Sequence, residues 1–216
     1  MSLSDQLVIK GEIGRKLMHV GILIIPLVYF FAGKDFSISL LIPITVFVVG
    51  VDYLRFKLSF LQKFFIYFFG WMLRSKEKDN GKTRLTGASN TLLAASIGIF
   101  FIPKEIFIFS FSVLSISDTL SSFVGRYFGK RNFFHKTFEG SLAFFLSGLF
   151  LIFVTPKLTD SFVEYLICAF GVAVGTLIEA HSFVIDDNFI TPLAIGIFLM
   201  ITYNIFFPQL QILSLF

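Results

Sequence analysis

The chain has 216 residues, 56% of them hydrophobic and 15% charged, with a formal net charge of +4; soluble domains carry about 25% charged residues. A mean hydropathy of +0.84 excludes an ordinary soluble domain, and the longest polar stretches leave no room for a separate one, so residues 1–216 are read as one integral-membrane domain. The single cysteine, Cys168, excludes a disulfide framework and a thiolate metal site, and the 32 phenylalanines read as compositional bias rather than a code for nucleic acid.

In chain order, the first polar group is Glu12, Arg15, Lys16 and His19. Their i, i+3, i+4, i+7 spacing puts them on one helix face. Arg15 and Lys16 alone would serve as a snorkelling anchor. His19 lies a turn inside the apolar run, where an ionisable group is costly enough to mark a candidate functional site. Apolar runs suited to crossing a membrane lie near Leu17 to Gly33, Phe36 to Tyr53, Ala88 to Pro103, Glu105 to Val124, Ser141 to Thr155, Phe162 to Phe183 and Ile190 to Phe207. Between the second and third, Leu58 to Leu73 is interrupted by Gln62 and Lys63.

Lysine and arginine decide how that stretch is read. If it lies along the interface as an amphipathic helix and the N-terminus is cytoplasmic, 15 of the 18 basic residues are cytoplasmic, leaving Lys34, Lys104 and Lys157 outside. If it spans, only 8 of the 18 are inside, against the positive-inside bias. The expected fold is therefore an all-α polytopic bundle of about seven transmembrane helices plus one interfacial helix, with the C-terminus outside. This topology also gathers Glu12 to His19, Asp52 to Arg55, Arg84 to Asn90, Asp118 to Ser141 and Glu179 to Asn188 on the cytoplasmic side. A polar face confined to one side suits an enzyme fed from the cytoplasm better than a channel, which needs polar groups along its whole path. No signal peptide and no internal repeat is expected.

The densest chemistry runs from Asp118 to Ser141. Asp118 lies inside an apolar run among Ser115, Ser117, Ser121 and Ser122, and a carboxylate there needs a cation or several donors. Mg²⁺ bridging phosphates would supply the cation, because it takes oxygen ligands from one or two carboxylates plus the substrate. Gly125 and Gly129 would let backbone approach a ligand. Lys130, Arg131 and Lys136 offer charge for phosphate, and the Thr137, Gly140 and Ser141 amides at the next helix start would add an anion site. A Walker A loop is excluded because His135 stands where it requires glycine. Protein-kinase catalytic loops are absent.

The ordered set Asp118-x6-Gly125-x3-Gly129-Lys130 and Lys136-Thr137-x-Glu139-Gly140-Ser141 resembles the signature of the CTP-dependent lipid kinases, the group of dolichol kinase, phytol kinase and fungal CTP-dependent diacylglycerol kinase. Glu12 to His19 is similar to their N-terminal motif, Arg84-x-Thr86-Gly87-Ala88 to their middle one, and Asp187-Asn188-x3-Pro192-Leu193 to their C-terminal one. The resemblance implies phosphoryl transfer from CTP, with a divalent metal, to the hydroxyl of a membrane lipid alcohol: polyprenol, phytol or diacylglycerol. In that scheme Asp118, with Asp187 or Glu179, holds Mg²⁺. Lys130, Lys136 and Arg15 spread over the phosphates, with Lys16, Arg84 and Arg131 nearby, and His19, Glu139 or a carboxylate takes the hydroxyl proton. The membrane would be the plasma membrane of a prokaryote or the endoplasmic reticulum of a eukaryote. Phosphatidate cytidylyltransferases share part of the cassette, but the region Glu179 to Asn188 lacks their paired glycines and Asp-Arg pair, so nucleotidyl transfer to a lipid phosphate ranks second. A lipid carrier or transporter ranks third, and oligomeric state is not legible.

Overall fold

The computed structural model describes residues 20–70, 85–181 and 186–210, together with Gly14. Lipid offers no partner for backbone N–H and C=O groups, so a chain this apolar must satisfy them within helices. Helices α1 (Ile24–Leu54), α2 (Ser59–Phe69), α3 (Gly87–Phe101), α4 (Lys104–Ser112), α5 (Asp118–Phe128), α6 (Phe138–Val154), α7 (Phe162–His181) and α8 (Asp187–Phe206) account for most of the described residues. One π-helical turn, Val113–Ser117, joins α4 to α5. The resulting rod, Lys104–Phe128, has 72% of its most apolar window buried, against 22–44% for the other long helices. It is therefore the hub: α1, α3, α6 and α8 all pack against it.

Among the described residues, Ile24–Leu54, Lys104–Phe128, Phe162–His181 and Asp187–Phe206 are long and apolar enough to cross a membrane, and Gly87–Phe101 and Phe138–Val154 are shorter apolar helices. The two runs expected at Leu17 to Gly33 and Phe36 to Tyr53 are one element here, α1, broken inside. Gly33 takes φ +80°, a conformation open to glycine. Both limbs line a single apolar cavity of about 450 Å³: Ile25 and Val28 from the first, Leu41 and Ile44 from the second, with Ala88, Leu92 and Ile99 of α3 completing the wall. A straight helix would carry Ile25 and Ile44 almost 30 Å apart, so α1 folds back at Gly33. Helix α2 has 11 residues and reaches about 17 Å, short of a 30 Å hydrocarbon core.

Small residues allow close helix contacts, as expected where packing rather than water drives association. Gly148 of α6 meets Val172 of α7, and Gly175 of α7 meets Ile195 of α8. Cys168 is buried beside the Tyr203 hydroxyl, 3.6 Å away, in keeping with its reading as a small core residue. One feature departs from the all-helical expectation. Asn132–Phe133 (β1) and Lys136–Thr137 (β2) form an antiparallel ribbon with Asn132 opposite Thr137 and Phe133 opposite Lys136. His135 N–H donates to Ala180 O (3.1 Å) and docks the ribbon on the C-terminal end of α7, satisfying a carbonyl that the helix end leaves open.

Candidate functional site

The alternation of helix directions brings the first turn of α5, the end of α7, the starts of α6 and α8, and the β1–β2 ribbon together. Asp118 opens α5 immediately after the π-turn; such insertions rotate the following residues relative to the preceding helix and are frequent at functional sites. Glu179 sits two residues before the end of α7 and Asp187 opens α8. Asp118, Glu179 and Asp187 are 3%, 1% and 8% exposed, and one carboxylate oxygen of each lies within 4.8 Å of the others.

Lys136 reaches into this trio from β2. Its Nζ donates to Glu179 Oε1 (2.7 Å) and Asp187 Oδ2 (3.0 Å), and Ser121 Oγ donates to the same Glu179 oxygen (3.3 Å). Burial by itself would lower the Lys136 pKa, but the charges of Asp187, Glu179 and Asp118 and the Glu179 hydrogen bond outweigh it and raise it above the lysine range. The ammonium therefore stays protonated and cannot act as a base. Three buried carboxylates meet this ammonium, a concentration of like charge in which a cation is favoured.

The trio fits a hard divalent cation. All three donors are oxygens, the preference of Mg²⁺ and Ca²⁺, and 4.8 Å is near the span of opposed ligands at about 2.1–2.6 Å from one ion. Further polar atoms near these helix ends have no protein hydrogen-bond partner among the described residues: Glu179 Oε2, Ser117 Oγ, Ser141 Oγ, Asn188 Oδ1 and Thr191 Oγ1, all buried. Buried polar atoms are normally satisfied, so their concentration around the trio marks a place where a polar ligand or water belongs.

Other predicted residues fall elsewhere or have a different neighbour from the one expected. The faces of Gly125, Gly129 and Gly140 where a Cβ would project are taken by protein. A Cβ at 140 would meet Ser121 O at 2.9 Å and the Gly125 Cα at 3.2 Å, and one at 129 would meet the Thr137 side chain at 2.7 Å. These contacts bring α5, α6 and the ribbon together. Thr137 caps α6, its Oγ1 accepting from the Gly140 N–H (3.2 Å), which engages an amide expected to bind an anion. Glu139 Oε2 accepts from the Lys130 and Arg131 N–H groups (3.0 and 3.3 Å) and so closes the turn between α5 and β1. Lys130, Arg131 and Glu139 edge a groove between α5 and α6. Arg15, Lys16, His19 and Arg84 lie outside the described residues.

Two buried acids escaped the site prediction. Asp52, 1% exposed, accepts from the Thr86 N–H and Oγ1 (2.7 and 2.9 Å) and from Ser89 Oγ (2.6 Å). Its other oxygen lies 2.6 Å from Arg55 Nε, without the alignment of a good hydrogen bond, and Arg55 lies over the Phe56 and Phe65 rings. Asp52 thus pins the start of α3, the segment of the middle motif. At the opposite end of the bundle Glu164 accepts from the N–H groups of Leu158, Thr159 and Asp160 and from the Thr159 and Tyr203 hydroxyls, at 2.6–2.8 Å. Its only sequence signal was an acid inside an apolar run.

Two relatives bear on this geometry. An uncharacterised protein of Rickettsia prowazekii is 32% identical over 185 residues, covering 83% of this chain and 89% of its own. CTP-dependent diacylglycerol kinase 1 of Schizosaccharomyces pombe is 27% identical over 207 residues, covering 85% of this chain and 89% of its own. No family profile and no solved structure matches the chain.

Proposed function

The chain belongs to one family with the uncharacterised rickettsial protein, and on that premise we propose that it is a CTP-dependent kinase of a membrane lipid alcohol. The similarity to the fission-yeast kinase supports the reaction class. The observation that carries the reading is the convergence of Asp118, Glu179, Asp187 and Lys136 at one recessed end of an apolar bundle, where a charged donor from water and a lipid hydroxyl can meet.

In this proposal seven spans cross the membrane, the two limbs of α1 counting separately, with α2 along the interface and the site facing the cytoplasm. Asp118, Glu179 and Asp187 hold Mg²⁺. The bound ion would neutralise charge on the donor phosphates, the main requirement of phosphoryl transfer. Lys136, fixed as a cation by its carboxylate neighbours, orients the metal ligands and lies beside the phosphate site. Arg15, Lys16 and Arg84 supply further charge to the nucleotide. The bond from the γ-phosphorus to the β,γ-bridging oxygen breaks, the lipid hydroxyl oxygen takes its place, and CDP leaves. Of the bases that the sequence offers, Glu139 is committed to its turn, which leaves His19 and the buried carboxylates for the hydroxyl proton. The apolar cavity between the limbs of α1 and α3, about 450 Å³ and within the usual range of ligand pockets, takes the hydrocarbon chain.

Purified protein given γ-labelled CTP, α-labelled CTP or γ-labelled ATP with polyprenol, phytol or diacylglycerol tests this reading. Transfer of γ-label from CTP to lipid is expected. Incorporation of α-label would replace it with cytidylyl transfer, and no transfer with Mg²⁺ present would favour a carrier.

A further inference from the structure

The groove between α5 and α6 has a volume of about 580 Å³ and joins two kinds of surface. Its floor is Val124, Phe128, Leu142, Ala143 and Leu146, and its rim carries Lys130 and Arg131. It faces away from the carboxylates. On α6 the buried stripe is Gly140, Ser141, Phe144 and Gly148, and its Phe144 and Gly148 positions pack on Gly175 and Val172 of α7, one to two turns from Glu179. Leu142 and Leu146, 43% and 55% exposed, lie on the opposite side of the same helix, the side that forms the groove.

We propose that this groove binds one anionic phospholipid, with the headgroup phosphate between Lys130 and Arg131 and an acyl chain lying between α5 and α6. From Phe138 to Leu146 the part of α6 that lines the groove runs about 12 Å along the helix, enough for much of one chain within a leaflet. Basic pockets between helices at the cytoplasmic side are suited to anionic headgroups, and a guanidinium matches phosphate through paired hydrogen bonds. Glu139 also stands on the rim, but its Oε2 is turned to the Lys130 and Arg131 amides, and the rim keeps one net positive charge. A nucleotide would meet hydrocarbon where its ribose and base belong, so a lipid is the better complement. The bound lipid is not the acceptor; it anchors the turn and ribbon that present Lys136 to the trio.

The test is the thermal melting of full-length protein in detergent with added phosphatidylglycerol or phosphatidylcholine, with no donor nucleotide, so that its outcome is independent of turnover. Phosphatidylglycerol should raise the midpoint by several degrees more than phosphatidylcholine. Lys130→Gln/Arg131→Gln should abolish that difference, and Ala143→Trp, which fills the floor without altering charge, should abolish it as well. Equal effects of the two lipids on the wild type, or a difference that survives the variants, would overturn the proposal. Should the variants fail to fold, native mass spectrometry of the wild type replaces them: selective retention of one phosphatidylglycerol supports the site, and unselective or no retention rejects it. In a separate melt with CTP and no added lipid, a shift abolished by Lys130→Gln/Arg131→Gln, where phosphatidylglycerol gives none, would overturn the proposal and return Lys130 and Arg131 to the nucleotide.

Discussion

Asp118→Asn and Lys136→Met separate the metal from the ammonium. Removing the ammonium leaves three buried carboxylates facing one another and should cost about 3 kcal/mol. Asp118→Asn keeps the size of the side chain and removes its charge, and should lose at least about 100-fold in turnover. Millimolar Mg²⁺ should raise the wild-type midpoint and leave Asp118→Asn unmoved, because a ligand stabilises only the state that binds it; equal shifts would remove the metal assignment. The raised Lys136 pKa fixes the pH sign: the ammonium's contribution is fully present below the unfolded lysine value and lost only as pH climbs through the higher folded one. Deprotonation of Lys136 should thus cost the wild type no stability between about pH 6 and 9, read as its melting midpoint across that range. Asp118 was legible because an acid amid apolar residues has few explanations. Glu164 has the same property and a different role, since five donors from its own loop and Tyr203 surround it. Sequence shows that a charge is buried; only the neighbours show what it is for.

Between elements, close approach decides. Gly140→Ala would push a methyl to 2.9 Å from a backbone oxygen and 3.2 Å from the Gly125 Cα, neither of which can swing aside. A loss of about 1–3 kcal/mol is expected, and thermal melting together with lowered Lys136-dependent activity would register it, since α6 carries the ribbon. Glu164→Gln keeps the size but replaces acceptor with donor against three N–H groups, and should lower stability by about 2 kcal/mol with KM for the nucleotide unchanged, as the residue lies at the far end of the bundle. The glycine spacing was visible in the sequence and the helix contacts it permits were not. A small residue at a close contact looks the same whether the partner is a phosphate or another helix, and here Thr137, Ser121 and Gly125 take the space.

For the whole molecule, the topology predicts which side each turn faces. In a Cys168→Ser background, Asn132→Cys should react with an impermeant maleimide only from the cytoplasmic side and Asp35→Cys only from outside; exchange of the two sides would invert the seven-span arrangement, and labelling of both from one side would break it. Membrane residence and the helical class were determined by sequence alone, because hydrocarbon tolerates few charges and only self-satisfied backbone, and both constraints are written in composition and order. Sequence equally supplied Asp118, Glu179, Asp187 and Lys136 as candidates. That these four meet, while Glu139 closes a turn and Lys130 and Arg131 rim a groove on the other side of α6, was decided by tertiary structure. Residues on separate helices become neighbours through helix direction, the register set by the π-turn and the packing of glycine faces, and no local pattern in the chain encodes those distances.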